Sequence, residues 1–372
     1  KGTSAHTLAA IFQAAGYKTG LYTSPHLKRF TERIRIDGVE ISEDGVVRFV
    51  DRIRPAIEEV SPSFFEVTVA MAFDYFARQE VDIAIVETGL GGRLDSTNVI
   101  VPELCLITSI GFDHMDILGH TLEKIASEKA GIIKPGIPVV IGAHQPDILS
   151  VFTEKARELN APCISNTNRY QVHVVDDTKE NRTIRVVRDG MEADYDVQIR
   201  AGYYLNNIPG ILESVIEMRK LGWNLTPEAV GEGLRSAISM TGLKGRFQLL
   251  SETPFTVADI SHNKDGLTEL FRHVGEMGFA KWHIIYGTVR DKDVAAVLGM
   301  LPTGATYYFT QSGVPRSLPV DELKIMATKS GIEGEVFTNV NEALAAARQN
   351  VGKNDLILIT GSTFVVAEID EL

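Results

Sequence analysis

Asp82-Ile-Ala-Ile-Val-Glu87 runs straight into Thr88-Gly-Leu-Gly-Gly-Arg-Leu-Asp-Ser-Thr-Asn98, and this stretch decides the fold. An apolar run that ends in an acid reads as a buried strand. The loop after it is rich in glycine, which allows sharp turns and close approach of backbone to a ligand. A purely structural loop has no need of an acid, three glycines, Arg93 and Asp95 in one place, so a functional reading is favoured. Glu87 ends the strand, where a carboxylate suits Mg²⁺, a hard cation that takes oxygen ligands.

The same alternation spreads outward. Residues 4–15 predict a helix with Ala5, Leu8, Ala9, Ile11 and Phe12 on one face, stopped by Gly16. A short strand is expected at 19–22, and helices at 43–60 and 65–79. Downstream, strands are expected at 104–108 and 138–141, and helices at 121–133 and 146–158. Strand and helix in turn predict a largely parallel sheet. Residues 169–200 alternate apolar and polar, with turn signals at Lys179–Asn181 and Asp189–Gly190, and predict a small antiparallel subsheet. Helices at 206–220 and 226–238 complete a first domain, 1–242. Thr241-Gly-Leu-Lys-Gly245 reads as a hinge. A second α/β domain, 243–372, follows, with strands near 255–259, 282–286, 305–310 and 355–360 and helices at 265–276, 293–300, 320–329 and 341–349.

Composition narrows the class. The chain of 372 residues is 44% hydrophobic and 23% charged, ordinary for a globular protein. A net charge of −12 argues against a nucleic-acid coat, but a local basic cluster can still hold a small anion. Cys105 and Cys163 lack a CxxC partner and read as reduced thiols rather than a disulfide or zinc site. With no signal peptide and no apolar run of about 18 residues, the expectation is a cytoplasmic protein without a membrane partner. Lys1 stands where Met is usual and abuts a helical pattern, so the chain reads as truncated at its start.

Several further clusters carry chemistry. Lys1-Gly2-Thr3-Ser4 opens a helix, where backbone N–H groups and the dipole favour an anion. It reads either as the tail of a P-loop or, taken alone, as an ordinary N-cap at Thr3 or Ser4. Tyr22-Thr-Ser-Pro-His-Leu27 follows a strand, and Phe30-Thr-Glu-Arg-Ile34 comes next. Thr108-Ser-Ile-Gly-Phe-Asp-His-Met-Asp116 places His114 at another strand end, expected in the same sheet as Glu87. Ser127-Glu-Lys-Ala-Gly-Ile-Ile-Lys-Pro135 carries Lys129 and Lys134. In the second domain, Gly245-Arg-Phe247, Asp259-Ile-Ser-His-Asn263, Asp291-Lys-Asp293, Pro315-Arg316 and Gly361-Ser362 follow the hinge or the strands. Strand carboxyl ends are where open α/β sheets bind ligands, so two domains facing across a cleft are expected.

Together these strings resemble the folylpolyglutamate synthase/dihydrofolate synthase family, relatives of the Mur ligases. The resemblance rests on Gly16–Leu27, Phe65-Glu-Val-Thr68, Glu87–Asp95, Gly111-Phe-Asp-His114, Glu128-Lys-Ala-Gly-Ile-Ile-Lys134 and Asp291-Lys-Asp293, in the family's order across nearly the whole chain. It implies a P-loop NTPase-like parallel-sheet domain of the Mur central type with a small antiparallel subsheet, and a Rossmann-like C-terminal domain. It implies ATP-dependent joining of L-glutamate to dihydropteroate or folates through an acyl phosphate. Lys1, Gly2 and Thr3 would then bind phosphate, with Lys1 neutralising charge in transfer. Ser24, Glu87, His114 and Lys129 would hold Mg²⁺, two ions if Lys129 is carbamylated. Asn207, Arg246 and Asp259 would contact the nucleotide, and His262 and Ser362 the glutamate. A monomer acting on small molecules is expected. Two departures stand out. Ile260 occupies a position where the family has glycine, and Tyr204 one where it commonly has glutamine. A Mur-type cell-wall ligase and a silent ATP-binding regulator are the competing readings.

Overall fold

The computed structural model describes residues 1–372 apart from 113, 166–168, 178–181 and 291–292. The turn signal at Lys179–Asn181, Asp113 and most of Asp291-Lys-Asp293 therefore lie outside the described residues. The chain divides into two units, Lys1–Gln198 with Tyr204–Leu243, and Ile199–Tyr203 with Lys244–Leu372.

The first unit opens with helix α1 (Gly2–Ala14), buried from Gly2 to Phe12. Its small residues let neighbours come close, and Gly233 of helix α8 (Pro227–Arg235) lies against the Ile11 backbone. Lys1 is the N-cap, so neither Thr3 nor Ser4 caps the helix: both side chains sit inside it and are buried.

After α1 come β1 (Thr19–Tyr22), β2 (Ile34–Ile36), β3 (Val39–Glu40), α2 (Glu43–Val60), α3 (Phe64–Arg78) and β4 (Ile83–Val86). Ser63 and Glu66 form a capping box that starts α3. β1 pairs in parallel with β4 and antiparallel with β2, giving the order β3-β2-β1-β4. The parallel strands β5 (Cys105–Ile107), β6 (Val139–Ile141) and β7 (Cys163–Ser165) form a separate sheet. This corrects the expectation that Glu87 and His114 follow strands of one sheet. Each sheet has its own core. Tyr22, Ile34, Val69, Ala72 and Phe76 fill one. Ile107, Ile125, Val139, Ile141 and Phe152 fill the other, with helices α4 (Met115–Leu118), α5 (Leu122–Ala130) and α6 (Pro146–Glu158) alongside. The helix expected at 121–133 thus ends at Ala130, three residues early.

Strands β8 (Tyr170–Asp177), β9 (Arg182–Arg188) and β10 (Met191–Val197) make the antiparallel subsheet. It is tied to α7 (Ile208–Lys220) through Glu213, whose side chain is 1% exposed. That carboxylate accepts from the Tyr170 hydroxyl at 2.7 Å and from Arg169 and Arg188 at 3.2 Å each. After α8, the helix α9 (Ala237–Thr241) ends at Gly242, whose left-handed φ of 68° suits glycine.

In the second unit, β11 (Gln248–Glu252), β12 (Phe255–Ala258), β13 (Trp282–Tyr286), β14 (Thr306–Phe309), β15 (Gly334–Val336) and β16 (Leu356–Thr360) form one sheet. The order is β11-β12-β16-β13-β14-β15, with only the β11 edge antiparallel. Helices α10 (Lys264–Glu276), α11 (Val294–Leu298), α12 (Val320–Lys329), α13 (Val340–Asn350) and α14 (Thr363–Ala367) complete this α/β unit.

Near the amino ends of these strands His283 is buried, with Nδ1 3.0 Å from the Tyr308 hydroxyl and Nε2 3.4 Å from Asp355. Burial draws its pKa below the ordinary 6.5; Lys281 acts the same way and Asp355 opposes both. The fold thus favours the neutral ring, and unfolding restores the ordinary value. The stability this group confers is complete above pH 6.5 and is lost as pH falls toward the folded pKa. His283→Gln is expected to flatten that part of the stability curve. Urea unfolding between about pH 7 and pH 5 checks it.

Candidate active site

The candidate site of the first unit centres on Glu87. Its N–H donates to the Tyr22 carbonyl at 2.9 Å, extending the β1–β4 ladder by one step. The residue is 8% exposed, and Oε2 accepts the Ser24 N–H at 3.1 Å. The carboxylate lies at the amino end of α1. A Cβ on Gly2 would stand 3.3 Å from Oε2 and 3.4 Å from Oε1, so glycine there leaves room for the acid. Lys1 Nζ donates to the carbonyls of Thr88 and Gly89 at 2.7 and 2.8 Å. Lys1, Gly2, Ser24 and Glu87 are therefore brought together. Thr3 follows in the first turn of α1.

Arg33, a buried residue that its sequence context does not mark as functional, stands beside them. Its Nε donates to His26 Nδ1 at 2.8 Å, and its guanidinium lies 5.4 Å from the Phe64 ring centre. Burial lowers its pKa, while Tyr22 and Glu87 act to raise it. Burial pushes Tyr22 up to about 12. His26 is shifted down by burial and then by Arg33, which suits an acceptor ring.

The glycine-rich loop explains itself more simply than expected. Asp95 Oδ1 takes the Thr97 N–H and hydroxyl, and Oδ2 takes the Leu90 N–H at 2.8 Å. Arg93 pairs with Glu128 at 3.0 Å, and its N–H donates to the Glu128 carbonyl at 2.8 Å. Asn98 Nδ2 donates to the Gly131 carbonyl, and Lys134 Nζ to that of Asn98. These residues dock the loop on the last turn of α5, which carries Lys129. Of the cluster that favoured function, Glu87 faces α1, while Arg93 and Asp95 hold the loop.

Gly92 is required at that dock: a Cβ would lie 2.7 Å from the Glu128 carbonyl oxygen and 3.0 Å from the Lys129 Cα. Gly92→Ala is expected to destabilise by about 2 kcal/mol through overpacking. Activity should fall further than the loss of folded protein explains, because the loop and Lys129 shift together. Thermal unfolding and turnover on one preparation test this.

His114 is exposed and caps α4 from a left-handed conformation, φ 51°. Lys129 is half-buried on α5. Both stand on elements of the second core, not of the Glu87 sheet. Among the described residues no three His, Cys, Asp or Glu side chains form a metal-holding group, so a cation there would draw on hydroxyl, water or modified-lysine oxygens as well. A buried carboxylate beside Ser24 suits a hard divalent ion of the Mg²⁺ type. Asn207 is the N-cap of α7 without a side-chain capping bond. Tyr204, three residues earlier, is fully buried with its hydroxyl 3.1 Å from Thr7 of α1, so this departure is a core residue that anchors the Asn207 turn.

In the second unit Asp259 is fully buried at the end of β12. It takes N–H groups from Phe247 (2.7 Å) and Ser261 (2.8 Å), the Ser261 hydroxyl (2.6 Å) and the Tyr203 hydroxyl (3.1 Å). Ile260 donates its N–H to the Gly245 carbonyl at 3.0 Å, so its backbone closes the Arg246 turn. His262 Nδ1 is 3.0 Å from the Ile260 carbonyl, so Nδ1 carries a proton there. Ser362 follows β16, the neighbour of β12, is 2% exposed, and caps α14 by accepting the Phe364 N–H. Strand ends thus bring Asp259, His262 and Ser362 to one edge, with Arg246 joined through its loop.

Comparison with known proteins identifies the fold and the family. Residues 1–210 match the Mur ligase middle domain, and 245–363 the Mur ligase glutamate ligase domain. The chain is 32% identical over 380 residues to a folylpolyglutamate synthase of Lacticaseibacillus casei, covering 99% of this chain and 86% of the relative. Escherichia coli FolC in complex with DHPP and ADP superposes with a TM-score of 0.87 at 30% identity, covering 98% of this chain and 84% of that one. A Yersinia pestis bifunctional folylpolyglutamate synthase/dihydrofolate synthase, complexed with AMPPNP and a Mn ion, gives 0.84 at 30% identity, covering 98% and 84%. Fold and site define a class, the Mur ligases, ATP-dependent enzymes that join an acid to an amino acid. Within that class the chain belongs to the dihydrofolate synthase/folylpolyglutamate synthase family. Among the described residues no helix is long and apolar enough to cross a membrane.

Proposed function

We propose that the chain uses ATP to join L-glutamate in amide linkage to dihydropteroate, to folates, or to both. The observation that carries this reading is the Glu87 carboxylate, held against the first turn of α1 by the Ser24 N–H, with Lys1 on the same loop. The γ-phosphoryl group passes from ATP to a carboxylate oxygen of the acceptor, releasing ADP. The glutamate amine then attacks the acyl carbon, phosphate leaves with that oxygen, and a proton is lost from nitrogen.

Each residue has a part in that sequence. Gly2 and Thr3 offer N–H groups at a helix start to phosphate oxygens, and Lys1 neutralises charge there. Ser24, Glu87, His114 and a carbamylated Lys129 would hold two Mg²⁺ ions. Bound Mg²⁺ supplies charge neutralisation on the phosphates. Asn207, Arg246 and Asp259 belong to nucleotide binding. His262 and Ser362 serve the glutamate, His262 beside its amine and Ser362 in seating it. The protein acts as a monomer in the cytoplasm, where unpaired Cys105 and Cys163 suit a reducing compartment.

The test supplies ATP, Mg²⁺ and labelled glutamate, with dihydropteroate and tetrahydrofolate in separate reactions. Label joining either acceptor, only when ATP is present, is the expected result, and the productive acceptor names the activity. Tight ATP binding with no label in either acceptor would remove the folate reading.

A further inference from the structure

Tyr203 has no part in the chemistry above, yet it lies beside two of the groups assigned to the nucleotide. Its hydroxyl donates to Asp259 Oδ2 at 3.1 Å, and the Arg246 side chain is near enough to act on it electrostatically. The phenol therefore stands between a buried carboxylate and a nearby guanidinium. The Asp259 oxygens are already occupied by the Phe247 N–H and by the Ser261 N–H and hydroxyl. With Tyr203 that makes four donors, about the capacity of a carboxylate. Asp259 is thus an anchor with its lone pairs engaged by the protein.

Arg246 differs. Its Nε–H is buried and has no hydrogen-bond partner among the described residues. Buried donors are nearly always satisfied, so this one points to an acceptor supplied by a ligand. A direct pair with Asp259 would use the planar fork of the arginine. A hydroxyl set between them keeps the guanidinium off the carboxylate and leaves the fork to a phosphate oxygen.

We propose that Tyr203 is a positioning residue for nucleotide binding: its hydroxyl, anchored on Asp259, orients Arg246 so that Nε–H faces an anionic oxygen of the nucleotide. The inference rests on the reading of Arg246 as a nucleotide contact. Asp259 then acts on the nucleotide through Tyr203 and the Phe247 backbone.

The test is calorimetric titration of the full chain with Mg·ADP, for the parent protein, Tyr203→Phe, Arg246→Ala and the double variant. Removing the hydroxyl alone is expected to weaken binding about tenfold, and removing the guanidinium about tenfold or more. The double variant should bind no more weakly than Arg246→Ala. In turnover, Tyr203→Phe should raise KM for ATP by the same factor and leave kcat within about twofold, a split that a general loss of structure does not produce. Parent-like affinity in Tyr203→Phe, with Arg246→Ala weakened, overturns the positioning role and leaves Arg246 as a contact. Losses that multiply in the double variant overturn it too. Parent-like binding by Arg246→Ala removes the nucleotide reading of that arginine, and the proposal with it.

Discussion

Glu87→Gln is expected to fold like the parent and to lose at least about 100-fold in kcat/KM for glutamate incorporation. The amide is nearly isosteric, and its oxygen can still accept the Ser24 N–H that Glu87 accepts at 3.1 Å. The gap left by Gly2 accommodates it equally well. What disappears is the negative charge, and with it the strongest oxygen donor for a hard cation in this part of the sheet. The loss should therefore be in chemistry, with the melting temperature little changed. A Mg²⁺ titration separates the causes: the variant should need far more metal to reach a much lower plateau. Activity within about threefold of the parent at ordinary Mg²⁺ would mean that Glu87 is a structural acid and that the phosphate chemistry lies elsewhere.

The largest loss of stability is expected from Glu213→Ala, at about 3–5 kcal/mol. Its side chain is 1% exposed, and three side chains converge on it: Arg169, Arg188 and the Tyr170 hydroxyl. Truncation leaves two guanidinium groups and a phenol without their common acceptor. Arg169 retains Asp189 at 2.7 Å, in a position where the pair is worth little. Arg188 is 23% exposed and loses most. Because Glu213 lies on α7 and its donors on β8, β9 and the turn entering β8, the subsheet should loosen first. Urea unfolding gives the magnitude, and hydrogen exchange should show the earliest loss of protection in residues 170–177 and 182–188. A change under 1 kcal/mol would mean that water replaces the carboxylate without cost.

The candidate site positions were legible wherever an apolar run stops at a charged or glycine-rich residue. Ile83–Val86 before Glu87 and Phe255–Ala258 before Asp259 are such runs, because a buried strand leaves the core where its polarity changes. Which strand pairs with which was not legible. Ile83–Val86 and Cys105–Ile107 look like neighbours in sequence, yet each bonds within its own sheet, and hydrophobic pattern records burial rather than partner. Ile34–Ile36 and Gly334–Val336 escaped because three residues are too few to show a period. Arg93 and Asp95 looked functional by their company, and only the Glu128 and Thr97 contacts show them holding the loop. Tyr203 had the opposite fate. In sequence it is indistinguishable from Tyr204, a core tyrosine, and only the Asp259 contact sets it apart.

The most direct test of the acyl-phosphate route follows oxygen atoms. The acceptor that takes up glutamate is prepared with oxygen-18 in its carboxylate and turned over with ordinary ATP. Transfer through an acyl phosphate requires one labelled oxygen to leave in the inorganic phosphate for each amide formed, the other staying in the amide carbonyl. Phosphate carrying that label, in step with amide, is the predicted result. Unlabelled phosphate released while amide accumulates would contradict activation of the acceptor carboxylate by phosphorylation.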